Sequence, residues 1–348
     1  MDIHTVDSDE FSAEDVVKAH MEDLAIQDQF GVKQLKYWVN EQAKTIFCLM
    51  EGPNKDACNQ VHLQSHGNTA CNIIEVGDNE FNLFMGQGAA VDDLAKTDSG
   101  DLDTGYRSIL LTNIVCVSQN DSDYLTETHE IIKKYEGVLV LEPNNQIMAA
   151  FVNATDAISC ASSIKALLDS TSDNIEFNLA VVSGKPVDEQ GNTFFEETKA
   201  KINSLCSLGL NSRMYLDQET GTLSEKETLE QKEKRSNFTL INNDDFAFSL
   251  SLSNVINDHF TKSDFNSEEL ISLIGMSKSQ ASRKIKSLTG MTPNQLIQEA
   301  RLQKALNNMS QNNKTISEIA YESGFNSPTY FTRVFKKRFG ISPTNFVK

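Results

Sequence analysis

TISEIAYESGFNSPTYFTRVFKKRFGISP, residues 315–343, decides the C-terminal fold. Thr315 with Glu318 three positions on is a capping-box pattern. Ile316, Ile319 and Ala320 follow at helical spacing, and Gly324 ends that helix. Ser327-Pro328 opens a second one, with Ser as N-cap and Pro at the first helical position. Its apolar stripe is Phe331, Val334 and Phe335, and its exposed face carries Arg333, Lys336, Lys337 and Arg338. A short helix, a glycine turn and a basic helix predict a helix-turn-helix, the unit that lays its second helix in the major groove of DNA.

The pattern occurs twice. Residues 277–296 align without gaps on 327–346 at a constant offset of 50: Ser277 on Ser327, Arg283 on Arg333, Lys286 on Lys336, Gly290 on Gly340 and Pro293 on Pro343. Upstream, Asn266 and Glu269 can cap a helix containing Leu270, Ile271, Leu273 and Ile274, with Gly275 as the turn. Between the copies, Thr292-Pro293 starts a longer helix with Leu302, Ala305, Leu306 and Met309 at helical period.

Two such units joined by a helix resemble the DNA-binding domain of AraC-type transcription regulators over residues 251–348. The signature-like part is IAYESGFNSPTYFTRVFKKRFGISP. Double-stranded DNA is then the expected partner. Behind the N-cap serines Ser277 and Ser327, the candidate base contacts are Ser279, Gln280 and Arg283, then Thr329, Tyr330 and Arg333. Gln suits adenine and Arg suits guanine through paired hydrogen bonds. Lys284, Lys286, Lys336, Lys337 and Arg338 are the candidate phosphate contacts.

Charge distribution agrees. The chain of 348 residues carries a net charge of -18, yet residues 249–348 hold 13 Lys and Arg against 7 Asp and Glu. A basic tail behind an acidic body is expected when one domain meets phosphates and the others do not. The first 25 residues are acidic with no apolar core, and no run of about 18 apolar residues exists. A cytoplasmic protein with no membrane span is expected. Six scattered cysteines without a CxxC pair, Cys48, Cys58, Cys71, Cys116, Cys160 and Cys206, read as reduced, small apolar residues.

Residues 1–86 read as a small α+β unit: strand 1–6, helix 12–30, strands 32–40 and 45–52, helix 54–66 and strand 70–76. The βαββαβ order predicts a ferredoxin-like fold. DIH at the start, FGVKQLKYWVNE and FCLMEGPNKDACNQVHLQSHG resemble a small family that includes nickel-binding proteins. His62 and His66 are one helical turn apart, and Asp2 and His4 alternate on a strand, so each pair shares a face. Asp2, His4, His62 and His66 together suit a borderline metal such as nickel or zinc. A surface or hydrogen-bonded role for the histidines, or a small organic ligand in the same crevice, is equally compatible with the spacing.

Residues 87–105, rich in Asp, Gly, Ala and Ser, are expected to be a mobile linker. Residues 106–222 read as a second α+β domain, with a strand from 107, helices near 123–135, 154–168 and 193–208, a hairpin near 137–153 and a last strand at 212–217. RSILLTNIV, PNNQIMAAF and LAVVSGKPVDEQGNTFFEETKAKINSLCSLG resemble class III nucleotidyl cyclases. The resemblance implies two metal-holding aspartates, but these positions are Asn113 and Asn145, and an amide holds a hard divalent cation poorly. The family's transition-state Asn and Arg fall on Glu197 and Lys201. Catalysis is therefore not expected, and dimerisation or ligand sensing is. Residues 223–250, which include the charged run SEKETLEQKEKRS, are expected to be a second linker.

The expectation is a multidomain chain: two N-terminal ferredoxin-like and cyclase-like α+β domains, then an all-α domain with two helix-turn-helix units. The resemblance implies a homodimeric transcription regulator of AraC type, expected to be controlled by a small molecule or metal bound to the N-terminal modules. Alternatives are a cyclase fused to a DNA-binding domain, which cyclic product from ATP or GTP with manganese would reveal, and a metal-buffering protein.

Overall fold

The computed structural model describes every residue except 9–10, 87–88, 117–123, 142–145, 172–174, 211, 225–236, 311–313 and 347–348. The first sheet begins with β1 (Asp2–Thr5). Ser12 then caps α1 (Ala13–Ile26) by accepting the Asp15 amide. β2 (Lys33–Asn40) and β3 (Thr45–Glu51) form an antiparallel pair. Asn54 caps α2 (Lys55–Ser65), and the two-residue β4 (Asn72–Ile73) closes the sheet beside β1. The strand order β4-β1-β3-β2 is that of a ferredoxin-like unit. The period-2 alternation of β1 sends Asp2 and His4 towards α2, and Ile3 into a core with Trp38 and Phe47.

The chain beyond this unit differs from the expected linker. α3 (Asp78–Met85) is followed by β5 (Ala89–Val91) and β6 (Leu94–Lys96), and β6 pairs with β2 to extend the sheet. The segment mixes exposed strand residues, Ala89–Val91, with a few tightly packed ones such as Leu94. Ala95 is fully buried. Gly105 has φ +79°, and a Cβ there would lie 2.8 Å from Phe47 and 3.0 Å from Trp38.

The second sheet follows: β7 (Arg107–Cys116), α4 (Tyr124–Lys134), the hairpin β8 (Val138–Leu141) and β9 (Gln146–Phe151), α5 (Ala154–Ser170), β10 (Ile175–Gly184), α6 (Glu196–Cys206), β11 (Arg213–Asp217), α7 (Gln218–Leu223) and β12 (Thr239–Ile241). Its order is β12-β11-β10-β7-β9-β8. One face packs Leu110, Ile147 and Phe177 against Ile158 and Ile164 of α5. The other packs Ile109, Leu111 and Ala180 against Ile202 and Leu205 of α6.

The expected second linker is largely structured where it is described. β12 joins the sheet beside β11, and Asn242 caps α8 (Asn243–His259). Phe246 and Phe248 of α8 are buried, and Ser249 donates to Ser204 of α6 at 2.9 Å. Regular structure therefore resumes earlier than composition suggests, at Thr239.

The remaining helices are α9 (Ser267–Leu273), α10 (Lys278–Thr289), α11 (Pro293–Ser310), α12 (Ile316–Glu322), α13 (Pro328–Phe339) and α14 (Pro343–Phe346). Ser277 and Ser327 cap α10 and α13, and the Thr315–Glu318 capping box is complete. Gly324 turns the second unit at φ +84°, where a Cβ would stand 2.5 Å from the Phe260 carbonyl oxygen. Only glycine satisfies both limits. No described helix is long and apolar enough to cross a membrane.

Candidate functional site

α10 and α13 each bury one stripe, Ala281, Ile285 and Leu288 in the first, Phe331, Val334, Phe335 and Phe339 in the second. Their opposite faces are bare. Ser279, Gln280, Arg283 and Lys286 are exposed on α10, and Thr329, Tyr330, Arg333, Lys336 and Lys337 on α13. The cap serines stay near the helix starts: Ser277 donates to Gln280 Oε1 at 2.7 Å, and Ser327 accepts the Tyr330 amide. The Arg333 guanidinium lies 5.2 Å from the centre of the Tyr330 ring, whose hydroxyl accepts from Gln298 at 3.0 Å. Such stacking limits the rotamers of Arg333 before any partner arrives.

Two basic residues depart from the expected phosphate face. Lys284 turns back to the Asp244 carbonyl at 3.2 Å and sits over the Phe248 ring. Arg338 is half-buried and bound to Glu176 and Glu299. Both lie on the flank of their helix that meets the rest of the chain, which charge alone does not reveal.

In the first module the candidate metal residues converge, though as two overlapping groups. Asp2, His4, Cys48 and His62 form one, all buried; Asp23, His62 and His66 form the other. His62 joins them. Its Nε2 is 3.0 Å from Asp2 Oδ2 and its Nδ1 is 2.9 Å from Asp23 Oδ2. His66 Nε2 lies 3.3 Å from Asp23 Oδ1, so His66 is on the far side of His62 from Asp2 and His4. Cys48 donates its amide to Asp2 Oδ1 at 2.9 Å, and Ser65 donates to Asp23 Oδ1 at 2.5 Å. His20 stands apart, 3.1 Å from Asp93.

Burial disfavours charge on His62, but the two flanking carboxylates outweigh it and push its pKa up to about 10. Burial likewise opposes ionisation of Asp2, yet His4 and His62 hold its carboxyl well below the ordinary range. Burial raises the Cys48 thiol, and the Asp2 and Asp23 charges raise it further. Without metal the site is thus one imidazolium clamped between two carboxylates.

The residues fit a transition metal. His4 Nε2 is buried and makes no well-aligned hydrogen bond, lying 3.4 Å from Asp2 Oδ2. An orphaned buried nitrogen beside a carboxylate, a thiol and a second imidazole is a borderline-metal donor set.

Comparison with known proteins separates the two ends of the chain. Residues 270–348 match a family described as a helix-turn-helix domain, and residues 1–76 match one described as nickel responsive protein SCO4226-like. An uncharacterised HTH-type transcriptional regulator in the cgkA 5′ region of Pseudoalteromonas carrageenovora is 32% identical over 124 residues, 36% of this chain and 71% of that protein. This chain is an AraC-type HTH transcriptional regulator. A histidine kinase P4 of Formosa agariphila is 37% identical to the regulator over 100 residues, 29% of this chain but 7% of the kinase. The crystal structure of SCO4226 from Streptomyces coelicolor A3(2) is 32% identical, covering 22% of this chain and 90% of that one, with a TM-score of 0.20.

Sequence reasoning missed two members of the regulator's candidate metal-ligating groups, Asp23 and Cys48. Asp23 sits on the buried face of α1 with Val16 and His20, and Cys48 is one of several buried thiols. Neither carries a local signal, because only the packing of α1 and β3 around α2 brings them to His62.

Of the positions matched to cyclase chemistry, Asn113 donates weakly to the Cys206 carbonyl at 3.4 Å. Glu197 and Lys201 pair with each other at 2.6 Å. Asn145 lies outside the described residues.

Proposed function

We propose that the regulator binds a specific double-stranded DNA site through α10 and α13, and that a metal at the His62 cluster sets its DNA affinity. The observation carrying the DNA reading is the duplicated bare face, with Arg283 and Arg333 at the same place in each repeat and both exposed. The effector reading rests on the orphaned His4 nitrogen within the Asp2, His4, Cys48 and His62 set. Those four residues would hold the ion, and Asp23 would orient His62 through Nδ1. The bound ion would supply positive charge and fixed geometry between β1, β3 and α2.

A second effector reading has its own observation. A cleft of about 360 Å³ lies between Leu83 and Phe84 of α3 and Leu111, Val140 and Met148 of the second sheet. Its size and apolar lining suit a small organic molecule.

The middle module is proposed to be a cyclase-derived module without catalysis. Its helix α6 pairs Glu197 with Lys201, and Lys201 lies over the Phe246 ring of α8. Class III cyclases pair across this face. Here α3 covers part of it through the Lys199–Glu80 ion pair at 2.6 Å, so a homodimer formed through this module would use the part of the face that α3 leaves free.

Arg283→Ala and Arg333→Ala are each expected to weaken specific binding by about 1–3 kcal/mol and to relax base preference at one position. Footprints should weaken in different halves of the site. Equal losses on random DNA would show that both residues touch only phosphates.

A further inference from the structure

Arg338 is on the last turn of α13, next in sequence to exposed Lys336 and Lys337, yet it turns away from them. Its two terminal nitrogens bind the two carboxylate oxygens of Glu176 on β10. Nη2 also donates to the Leu210 carbonyl at 2.8 Å, and Nε donates to Glu299 of α11 at 2.9 Å. A forked arginine–carboxylate pair fixes orientation as well as distance.

The first reading helix is held at the corresponding end. Arg213 Nη1 donates to the carbonyls of Ser287 at 3.1 Å and Leu288 at 3.2 Å. The Tyr215 hydroxyl donates to the same Leu288 carbonyl at 3.1 Å. These carbonyls belong to the last turn of α10, where helix geometry leaves acceptors free and favours a cation.

Both grips come from neighbouring strands. β10 and β11 pair at Asn178 and Arg213, two residues along from Glu176. Val115 and Leu210 of the middle module share a core with Leu302 of the connecting helix α11 and with Phe331 and Phe335 of α13. The middle module therefore holds both reading helices by their C-terminal turns, while Arg283 and Arg333 remain exposed.

We propose that the middle module is a bracket that sets the spacing and relative orientation of the two reading helices on DNA, with Arg338, Glu176 and Arg213 as positioning residues. This rests on the DNA-binding reading above. One inserted base pair moves a half-site by about 3.4 Å along the duplex and about 35° around it. Two units joined only by α11 could flex to follow that shift, and two units held at one end of adjacent strands of the same sheet cannot.

The test uses the full chain and a site enriched by the wild type from random double-stranded DNA. Affinity is measured on that site and on versions with one or two base pairs inserted between its halves. The wild type is expected to lose about tenfold or more per insertion, and Glu176→Gln or Arg213→Met less than about threefold. Arg338→Gln should leave the salt dependence of binding unchanged, whereas Lys337→Gln should lower its slope by about 1. Circular dichroism and melting identify a variant that does not fold. Arg213→Met, which loses only bonds to backbone carbonyls, then carries the comparison. Variants that reject inserted sites as sharply as the wild type overturn the bracket. An Arg338→Gln slope that falls like that of Lys337→Gln does the same. A wild type that enriches sites at several spacings also overturns it. A wild type that enriches no site overturns the DNA-binding reading, and this inference with it.

Discussion

Arg107→Met is expected to destabilise the fold by about 3–5 kcal/mol, the cost of breaking a buried ion pair and stranding its partner. Arg107 opens β7 and is 1% exposed. Its guanidinium grips Asp103 with Nη1 and Nη2, each at 2.8 Å. Nε donates to the Phe84 carbonyl at 2.9 Å and Nη2 to that of Met85 at 3.2 Å, so the same side chain closes the end of α3. Asp103 in turn accepts from the Trp38 indole at 3.2 Å. One network thus ties the first sheet, α3 and the second sheet. Trp38 is the chain's single tryptophan, so its fluorescence in a urea titration reports this network directly. Arg107→Lys should recover only part of the loss, since an ammonium lacks the fork.

Burial disfavours ionised Asp103, but the Arg107 charge and hydrogen bonds outweigh it and lower its pKa. Its stabilising contribution is therefore present above the ordinary aspartate range and lost as pH falls through the lowered value. A Trp38-detected unfolding free energy for Arg107→Met within about 0.5 kcal/mol of the wild type would contradict the account.

His62→Gln is expected to lower nickel affinity by more than about 100-fold, and Asp23→Asn by about 10–100-fold, the usual range for a residue that orients a ligand. The order follows from geometry. His62 belongs to both clusters, whereas Asp23 reaches the Asp2, His4 and Cys48 group only through His62 Nδ1. His66→Ala should cost less than either, because His66 lies beyond Asp23. Calorimetric titration of full-length chain with nickel gives all three values. Equal affinity in wild type and His62→Gln would leave the imidazole a structural clamp between two aspartates.

Local features were readable in the sequence, and tertiary ones much less so. The Thr315–Glu318 box, the Ser277 and Ser327 caps and the glycine turns act within a few residues, so the helices that present Arg283 and Arg333 could be placed. Asp2, His4 and His62 could be grouped because strand alternation and helical period each fix a face. Asp23 and Cys48 could not, since they approach from separate elements. Arg107 begins a strand like any polar residue, and nothing nearby shows that Asp103 will meet it in the interior. Segment 87–105 has a linker's composition because its strand Ala89–Val91 is exposed and Gly105 packs too closely on Phe47 and Trp38 for a larger residue. Arg338 is indistinguishable from Lys337 until Glu176, 162 residues earlier, comes beside it.

A metal in the first module is expected to set the regulator's affinity for DNA. The direct measurement is fluorescence anisotropy of an enriched DNA site with metal-free full-length protein, with and without nickel. The account predicts a fivefold to 150-fold change in affinity, about 1–3 kcal/mol of coupling, in the wild type and none in His62→Gln. Specific binding whose affinity is the same with and without nickel in the wild type would contradict it.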